Sequence, residues 1–496
     1  MDGLTGRFQG TTRPQVESFF LTALWGLLLG GFVLGIMGLP MKFVYFLVAG
    51  PVILFIAVLS RNFKRFFQGV MIFIIPLNLA TNFFRRPYLF GEKGLTFSPL
   101  DIVLLLLCII WFYELMVKRS ERIRFFPAIT LPGLSLAGMV LLGMIKAPDP
   151  YLTLFEAIQI LKVVLLCLYV ANHVKSSKDL NLIITLLLLG LLIQSLIAMA
   201  QRWLGVSLGL HLFGEYQQQT TFTLTADYYL TVARVGGTIG HPNNLAKYIE
   251  LLIPISLVLL FTEIKFRSKL ASVAIFASAF IVLLVTLSRG GWLCFVGSII
   301  LVFLLVFRAR LIRLQTLIAI GIVVILLGGI SMGFSGMVTN RLFGDDYGSA
   351  WNRVPLNKLA IEVIKHNPIL GVGAKNYWSV MGDYSNVNIP IINVVHNAYL
   401  LHAAEMGIPG LIIFIWLLAA MFLAGLRNLK LQDTFLVCLN IGIISGMAAL
   451  WAHWLVDPGE VSRVPIMWVL TAITLASPRI VRGGRASISE PANIIP

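Results

Sequence analysis

Residues 180–203 read LNLIITLLLLGLLIQSLIAMAQRW, a run whose single charge is the arginine near its end. The hydrocarbon core of a bilayer is roughly 30 Å thick, and about 20 residues of apolar α-helix cross it. The run therefore predicts a membrane-spanning helix. Similar runs recur along the 496 residues, of which 58% are hydrophobic and 12% charged. Because soluble domains carry about twice that charge, the sequence indicates an all-α polytopic membrane protein, with residues 1–496 forming a single membrane domain.

Fourteen apolar runs are candidate spans. Three of them, at residues 66–80, 131–145 and 464–478, are short for a bilayer core. We therefore predict 12–14 transmembrane helices. The other candidates are residues 18–38, 43–60, 99–117, 154–172, 180–203, 244–262, 270–288, 290–307, 312–334, 398–425 and 432–453.

The placement of lysine and arginine predicts the orientation, because cytoplasmic loops carry an excess of these residues. With the amino terminus inside, more than half of the 38 lysines and arginines fall in the connections and tails of one side. The opposite connections are nearly bare, as in KAPDP at residues 146–150. Both termini are therefore predicted to be cytoplasmic, including a tail at residues 479–496. The net charge of +16 follows from this pattern and indicates contact with anionic lipid, not with nucleic acid.

Two connections on the outer side are long, at residues 205–243 and 335–396. The first outer loop has the mixed stretch QQQTTFTLTAD in its middle. The large outer loop, periplasmic or extracellular, contains an amphipathic helix that ends at His366-Asn367-Pro368 and is followed by a turn at Gly371-Val372-Gly373. This helix is predicted to lie along the outer membrane surface or to cap a cavity. Its apolar face consists of Leu356, Leu359, Ala360, Val363 and Ile364.

Four arginines are predicted on the outer side. Arg234 precedes GGTIGHPNN, Arg289 lies in TLSRGGW between two spans, and Arg341 and Arg353 lie on the large outer loop. Arginine in or beside a span is costly and usually functional, and guanidinium groups bind phosphate in bidentate fashion. The four arginines therefore predict an anionic ligand. The alternative is that each one reaches lipid headgroups or pairs with a nearby carboxylate.

Glycine pairs follow two of these arginines, Gly236-Gly237 after Arg234 and Gly290-Gly291 after Arg289. Glycine has no Cβ, so a glycine backbone can approach a ligand closely. For Arg234 and Arg289 the pairs therefore favour ligand binding over lipid contact.

His396 precedes a span on the outer side and is predicted to face the same compartment as the arginines. A histidine there is suited to take a proton from an attacking hydroxyl. The alternative is a capping or interfacial histidine. Glu405 follows nine residues later, on the opposite face if one helix runs unbroken. His402 and Glu405 are spaced to form a structural pair.

Two further polar residues are assigned structural roles. His241, in GHPNN, is predicted to shape the start of a helix that Asn243 or Asn244 caps. Lys162, within FEAIQILKVV, is a charge inside a predicted span. A side chain that extends to the interface would explain it.

The sequence predicts neither a cofactor nor a metal. It contains no nucleotide-binding glycine motif, and no outer-side cluster of Asp, Glu, His and Cys has metal-ligand spacing. Asp345-Asp346 alone is compatible with a divalent ion. The four cysteines lie in apolar runs and are predicted to be buried thiols: Cys108, Cys167, Cys294 and Cys438.

Four runs of the sequence carry a resemblance to a known family. They are RVGGTIGHPNNLA (234–246), TLSRGGW (286–292), NRVPLNKLAIEVIKHNPILGVG (352–373) and HNAYLLHAAEMGIPG (396–410). Together they resemble the O-antigen ligase and O-antigen polymerase superfamily of bacterial membrane glycosyltransferases. The resemblance implies a GT-C-like fold in the bacterial cytoplasmic membrane and a lipopolysaccharide or exopolysaccharide product. It also implies transfer of a glycan from an undecaprenyl-pyrophosphate carrier to an acceptor hydroxyl on the outer face, with inversion and without a metal.

The resemblance also implies roles for individual residues. Carried over by motif, Arg234 and Arg289 bind the pyrophosphate and His396 assists the acceptor. Further candidates for substrate contacts are Arg341, Arg353 and His241. Elementary chemistry agrees, because a leaving pyrophosphate needs positive charge where negative charge develops.

Two alternatives remain open. A ligase hands a finished polymer to a lipid core, whereas a polymerase adds it to another carrier-linked repeat, and the four runs do not separate these activities. The rival from another class is a transporter or flippase for an anionic or lipid-linked solute. Transporters usually place polar groups near the middle of the bilayer. The predicted clustering of charge at one face favours the enzyme.

Overall fold

The structure is a computed structural model. It describes Thr22, Gly26 and residues 55–60, 62–88, 91–117, 122–216, 219–225, 228–311, 314–343, 353–384 and 394–489. By its internal contacts the chain divides into two compact units, residues 1–70 and 71–496. Every residue of the candidate site belongs to the second unit.

Helices dominate the described part of the chain. Seven of the described helices are long and apolar enough to cross a bilayer, and an eighth span results if the bent pair Val323–Gly333 and Ser335–Phe343 counts as one. These helices confirm the predicted class, an all-α polytopic membrane protein. The described helices are α1 (Phe63–Phe73), α2 (Pro99–Val117), α3 (Pro127–Gly143), α4 (Pro150–His173), α5 (Ser177–Leu204), α6 (Pro242–Leu259), α7 (Phe266–Val285), α8 (Arg289–Arg308), α9 (Leu314–Gly333), α10 (Ser335–Phe343), α11 (Arg353–His366), α12 (Tyr377–Val380), α13 (Ala398–Asn428), α14 (Thr434–His453) and α15 (Pro465–Ser489).

Several predicted spans differ from the helices of the structure in the residues at which they begin or end. The predicted span at residues 18–38 lies outside the described residues except for Thr22 and Gly26, and in the span at residues 43–60 only residues 55–60 are described. The predicted span at residues 66–80 is shorter, because α1 ends at Phe73. The run at residues 312–334 is followed directly by α10, which bends away at 75°.

Two antiparallel hairpins occur where the sequence analysis placed only connections. Strand β1 (Thr81–Tyr88) pairs with β2 (Gly91–Phe97), and β3 (Gln219–Thr225) pairs with β4 (Tyr228–Arg234). The second hairpin occupies the middle of the first outer loop. Its sequence TTFTLT alternates threonine with apolar residues, which is a strand pattern. The hairpin places Arg234 at the end of β4, directly before the GGTIGHPNN turn.

The last helix continues beyond its predicted end. The analysis assigned residues 479–496 to a tail, whereas α15 runs through Ser489. Arg479 donates hydrogen bonds from NH2 to the carbonyl oxygens of Ala171 at 2.8 Å and Asn172 at 3.4 Å, and also to that of Val174. The carbonyls at the end of α4 have no partner within their own helix, so this arginine caps α4.

Helices α6 and α14 approach closely because two glycines of α14 face the α6 backbone. A Cβ added to Gly442 would lie 3.0 Å from the Cα of Ile255, and one added to Gly446 would overlap the carbonyl oxygen of Leu251. Small residues at such contacts let membrane helices associate where lipid supplies no hydrophobic driving force. The position of α14, and of the loop that follows it, is therefore set by α6.

Helix α13 is kinked at Gly407, whose φ is 71°. A left-handed residue of this kind favours glycine, and it frees carbonyls on the preceding turn. The predicted Gly371-Val372-Gly373 turn fills that gap. Val372 donates to the carbonyl of Ala404 at 3.0 Å, and Gly373 donates to that of Glu405 at 2.9 Å.

The amphipathic helix in the large outer loop is present as α11, ending at His366 as predicted. Its apolar face is buried by protein: Leu359, Ala360 and Val363 join a hydrophobic cluster with residues of α13 and of the segment 372–381. Its two predicted placements, along the membrane surface and over a cavity, stay predictions. Helix α11 covers the amino-terminal end of α13.

Candidate functional site

The turn between α7 and α8 has a specific backbone conformation. Leu287 has a φ of 55°, a left-handed conformation that is uncommon for a residue with a Cβ. Ser288 follows in an extended conformation, and its side chain accepts a hydrogen bond from the Gly291 amide at 3.3 Å. This serine caps the start of α8, and Arg289 is the first residue of that helix.

Two arginines from distant parts of the chain bind this turn. Arg234 donates from Nε to the carbonyl oxygen of Thr286 at 2.8 Å, and Arg341 donates from Nε to that of Leu287 at 3.1 Å. Two consecutive carbonyls, three and two residues before Arg289, therefore hold both guanidinium groups. Three of the four predicted outer-side arginines meet at this turn.

A hydrogen-bond chain links Arg234 to an acidic residue that the sequence analysis did not select. Arg234 NH2 donates to Asn243 Oδ1 at 2.8 Å, and Asn243 Nδ2 donates to Asp457 Oδ1 at 3.2 Å. Lys247 Nζ lies 2.6 Å from Asp457 Oδ2. Burial acts to raise the pKa of Asp457, but Lys247 and the Asn243 hydrogen bond outweigh it, and the pKa lies below its ordinary value. Asp457 is therefore an ionised carboxylate.

Positive charge exceeds negative charge around this carboxylate. Burial and the neighbouring Arg341 lower the pKa of Arg234 to about 10, against the opposite effect of Asp457. The guanidinium remains protonated at neutral pH, so Arg234 and Arg341 repel one another. An anion bound between them relieves that repulsion, because an opposite charge within a few ångströms stabilises both cations.

His396 lies just outside the first turn of α13. Asn397 caps the helix by accepting hydrogen bonds from the Tyr399 and Leu400 amides, and the Ala398 amide donates to the carbonyl of Trp454 at 2.8 Å. These bonds fasten His396 to the loop after α14, which carries Asp457.

The tautomer of His396 follows from its one hydrogen bond within the described residues. Nδ1 lies 3.0 Å from the carbonyl oxygen of Val394. A carbonyl oxygen only accepts, so Nδ1 donates and the lone pair of the neutral ring is on Nε2. Burial lowers the pKa of His396, as does Arg353, while Asp457 acts to raise it. The neutral ring is the form that accepts a proton.

His241, and not an asparagine, caps α6. Its Nδ1 accepts a hydrogen bond from the Asn243 amide at 3.1 Å. The prediction that Asn243 or Asn244 caps this helix is therefore wrong, because the Asn243 side chain is engaged with Arg234 and Asp457. Burial lowers the pKa of His241, which agrees with a ring nitrogen that accepts.

These side chains form one group, which we call the cationic cluster. Arg353, at the start of α11, acts electrostatically on His396, and His241 and His396 act on one another. The members of the cationic cluster are Arg234, His241, Lys247, Arg341, Arg353, His396 and Asp457, and Arg289 adjoins it at the start of α8, beside the turn that Arg234 and Arg341 bind.

A second group of charged residues lies on the other side of the loop after α14, and we call it the charge-balanced cluster. Lys375 Nζ lies 3.4 Å from Glu156 Oε2 and is also paired with Glu460. Arg463 Nε lies 2.7 Å from Glu460 Oε2, and Ser462 Oγ donates to Glu156 Oε1 at 2.6 Å. Lys93 of β2 and Glu405 of α13 complete the cluster by electrostatic contact.

Glu405 interacts with Lys375, Glu460 and Lys93, so it belongs to the charge-balanced cluster and not to the surroundings of His396. The helical argument that separated them does not apply, because α13 begins after His396. The ring of His402 packs on Phe414 at 4.4 Å.

The glycine pairs have a different role from the one expected. A Cβ on Gly290 would lie 3.0 Å from His453 Nε2, and one on Gly291 would lie 3.0 Å from Glu250 Oε1. A Cβ on Gly237 would overlap the Gln194 side chain, and one on Gly236 the Gly240 backbone. These glycines therefore admit protein groups at positions where the sequence analysis expected a ligand.

Lys162 is bound within the protein. Its Nζ lies 2.9 Å from Asp101 Oδ2, and it donates to the carbonyl of Thr96 at 3.0 Å and to Gln159 Oε1 at 2.9 Å. The side chain joins α4 to α2, and its extension to the interface stays a prediction. The Asp345-Asp346 pair considered for a divalent ion lies outside the described residues.

Sequence reasoning missed Lys247 and Asp457. Lys247 was detectable, because it is a charge inside the apolar run 244–262, together with Glu250, and charges within spans are functional candidates. Asp457 gave no such signal, because it lies in a short connection outside the four recognised runs. Only the fold brings it to Lys247.

Comparison with known proteins supports the family resemblance. A protein-family model described as O-antigen ligase matches residues 273–415. The match includes Arg289, Arg341, Arg353 and His396, and confirms the resemblance to the O-antigen ligase and polymerase superfamily. No curated protein is found to match the chain.

Proposed function

We propose that the chain is a membrane glycosyltransferase that moves a glycan from undecaprenyl pyrophosphate to an acceptor hydroxyl. The observation that carries the proposal is the pair of guanidinium groups, from Arg234 and Arg341, held on two consecutive carbonyls, three and two residues before Arg289. Guanidinium groups match phosphate oxygens bidentately. Three of them at one turn suit a pyrophosphate better than a single phosphate.

In the proposed reaction the acceptor oxygen attacks the anomeric carbon of the glycan. The bond from that carbon to the pyrophosphate oxygen breaks, and the pyrophosphate leaves with the bonding electrons. The hydroxyl proton passes to Nε2 of His396, which carries the lone pair. Arg234, Arg289 and Arg341 stabilise the negative charge that develops on the leaving group. The attack inverts the anomeric centre, and the arginines supply the positive charge that a metal supplies in other glycosyltransferases.

We propose that this reaction takes place at the outer face of the bacterial cytoplasmic membrane, with both termini inside. The contacts among connections support the predicted grouping of connections on two sides, and the placement of lysine and arginine supports which side is inside. Among the predicted outer connections, Asn376 Oδ1 accepts from the Asp149 amide at 2.8 Å, and Asn243 binds Asp457. The predicted inner connections also contact one another, since Asn172 Oδ1 accepts from the Arg124 amide at 3.0 Å. The loops at residues 205–243 and 335–396 then face the periplasm or the exterior.

The acceptor distinguishes a ligase from a polymerase, and the cationic cluster suits both. In each case the carrier side of the reaction is the same, and the acceptor presents a hydroxyl. The transporter alternative needs an anion path across the bilayer. The cationic cluster favours the enzyme, because its described members lie in connections or within the first or last two turns of their helices.

Reconstitution tests the proposal directly. The purified chain in liposomes, supplied with carrier-linked glycan and with lipid-core or carrier-linked acceptors in separate reactions, is expected to yield the joined product and free undecaprenyl pyrophosphate. The acceptor that is consumed identifies a ligase or a polymerase. Movement of labelled glycan across the bilayer without transfer would show that the chain is a transporter.

A further inference from the structure

Two buried ionisable side chains meet beneath the first turn of α8. Glu250 of α6 is 0% exposed and His453, the last residue of α14, is 2% exposed. His453 Nδ1 lies 2.9 Å from Glu250 Oε1 and 3.2 Å from Oε2. Neither residue belongs to the cationic cluster, and the proposed reaction does not use them.

The pair lies directly against the backbone that carries Arg289. Its two members occupy the space that a Cβ would take at Gly290 and Gly291, with His453 Nε2 and Glu250 Oε1 each 3.0 Å from such an atom. The glycines thus allow the first turn of α8 to rest on the Glu250–His453 pair.

The Glu250–His453 pair is not needed to hold α6 and α14 together. The two helices already pack through Gly442 and Gly446, and Lys247 already joins α6 to Asp457. Burying ionisable groups is costly, and apolar residues of similar volume are often as stable or more so. A buried ionisable pair in a membrane protein is therefore a functional candidate.

Helix α6 contacts both Arg234 and the first turn of α8, which begins with Arg289. Asn243, Lys247 and Glu250 are spaced four and three residues apart, so they lie on one face of the helix. Asn243 at the start of that face binds Arg234. Glu250, two turns further along, supports the turn that begins with Arg289.

We infer that Glu250 and His453 are positioning residues that hold Arg289 at a fixed separation from Arg234, so that the two guanidinium groups match the two phosphoryl groups of a pyrophosphate. The inference rests on the proposed function and adds a specificity to it. A site spaced in this way binds undecaprenyl pyrophosphate more tightly than undecaprenyl monophosphate. Loosening the first turn of α8 weakens the pyrophosphate complex selectively, because the monophosphate needs only one of the two arginines.

The test measures the Kd of both lipids with the purified full-length chain in nanodiscs. Glu250→Gln keeps an acceptor for His453 and removes the charge, and His453→Gln removes the ring. Each is expected to weaken undecaprenyl pyrophosphate binding roughly tenfold, which is less than the 10²-fold that a displacement of about 1 Å can cost. Monophosphate binding is expected to change less than twofold. The exchanged pair Glu250→His with His453→Glu is expected to recover part of the selectivity.

Asn440→Ala is the matched control. Asn440 is also fully buried on α14, where it donates to Ser477 at 3.1 Å and accepts from Asn428 at 3.0 Å. Its loss is expected to lower the Tm without changing the ratio of the two affinities. If Glu250→Gln and His453→Gln lower the Tm in the same way and leave the ratio unchanged, the pair is only structural and the inference is wrong.

A further variant keeps the test decisive if the pair is needed for folding. Gly290→Ala leaves both ionisable residues in place and moves the first turn of α8 away from His453, so it is expected to reduce the same ratio. Unchanged selectivity in Gly290→Ala would also overturn the inference. Arg289→Ala separates the two claims: if it binds undecaprenyl pyrophosphate as tightly as the wild-type chain, the proposed pyrophosphate site fails regardless of the pair.

Discussion

The cationic cluster and the charge-balanced cluster lie on either side of one short loop, yet they are built in opposite ways. Asp457 and Glu460, three residues apart, each accept a lysine, Lys247 in the first cluster and Lys375 in the second. In the charge-balanced cluster carboxylates match the cations. In the cationic cluster one carboxylate faces several cations and two histidines. Matched charge holds a fold together, whereas surplus charge is available to a ligand.

The pKa values of Glu460 and Lys93 in the charge-balanced cluster both lie below their ordinary values, for different reasons. Burial acts to raise the pKa of Glu460, but Arg463, Lys375 and Lys93 outweigh it and hold the pKa well below its usual range. Burial and Lys375 together lower the pKa of Lys93 to about 7. Glu460 is therefore the carboxylate on which this group of cations depends. Its removal would leave them without compensation.

The largest expected effect belongs to His396→Ala. Loss of the base should reduce the rate of glycan transfer by about 10²–10⁴-fold, while undecaprenyl pyrophosphate still binds, because the arginines remain. Product formation in liposomes and lipid binding in nanodiscs measure the two quantities. His402→Ala, a histidine packed on Phe414 and outside the cationic cluster, is the control. Equal rates for His396→Ala and the wild-type chain would remove His396 from the mechanism.

Arg234→Ala and Arg289→Ala are expected to come next. Removing one charged donor from the leaving group should reduce transfer by roughly 10²–10³-fold and weaken binding of the pyrophosphate lipid. Arg479→Ala controls for the loss of an arginine, because Arg479 caps α4 far from the site. If all three variants lose activity equally, the comparison between surplus and matched charge does not explain the arginines.

Lys375→Met should affect stability and not ligand binding. It leaves Glu156 and Glu460 buried beside each other without their shared lysine, a change that costs about 3–5 kcal/mol in similar buried pairs. Thermal unfolding in detergent should show a clear fall in Tm. The Kd for undecaprenyl pyrophosphate, measured below that temperature, should stay within a factor of two. A selective loss of binding would make the charge-balanced cluster part of the site.

The smallest expected effect is a shift in pH dependence. Transfer requires neutral His396, so the rate falls as pH decreases through the pKa of His396, which burial places below its ordinary value. Arg353 also lowers that pKa, so Arg353→Gln should raise it and move the acid limb of the rate profile to higher pH. Arg353→Lys retains the charge and should keep the limb in place. A profile that is identical in both variants would contradict the assigned electrostatic contact.

Much of the fold followed from local pattern. The run at residues 180–203 corresponds to α5, and the amphipathic helix ends at His366 as predicted, because apolar periodicity and a following proline act within a few residues. The β3–β4 hairpin and the continuation of α15 through Ser489 were not foreseen. Short alternating segments and polar helix ends carry weak local signals, and pairing or packing decides their conformation.

The candidate site, like the fold, was predicted only in part from the sequence. Motifs pointed to Arg234, Arg289 and His396, whose roles in catalysis remain predictions. The purpose of the glycine pairs was misjudged, because a glycine in a sequence does not show whether a ligand or a buried side chain approaches it. The cap of α6 was assigned to asparagine for a related reason, since propensity did not show that Asn243 is held by Arg234 and Asp457.

By itself the sequence determined the membrane class, the family resemblance and the residue types suited to a pyrophosphate. Those properties depend on composition and on short motifs, whose physical consequences are local. Only the tertiary structure decided that Asp457 pairs with Lys247, that Arg341 joins Arg234 at one turn, and that Glu250 meets His453. Such contacts join residues far apart in the chain, and they arise because helix packing fixes which polar groups are buried together.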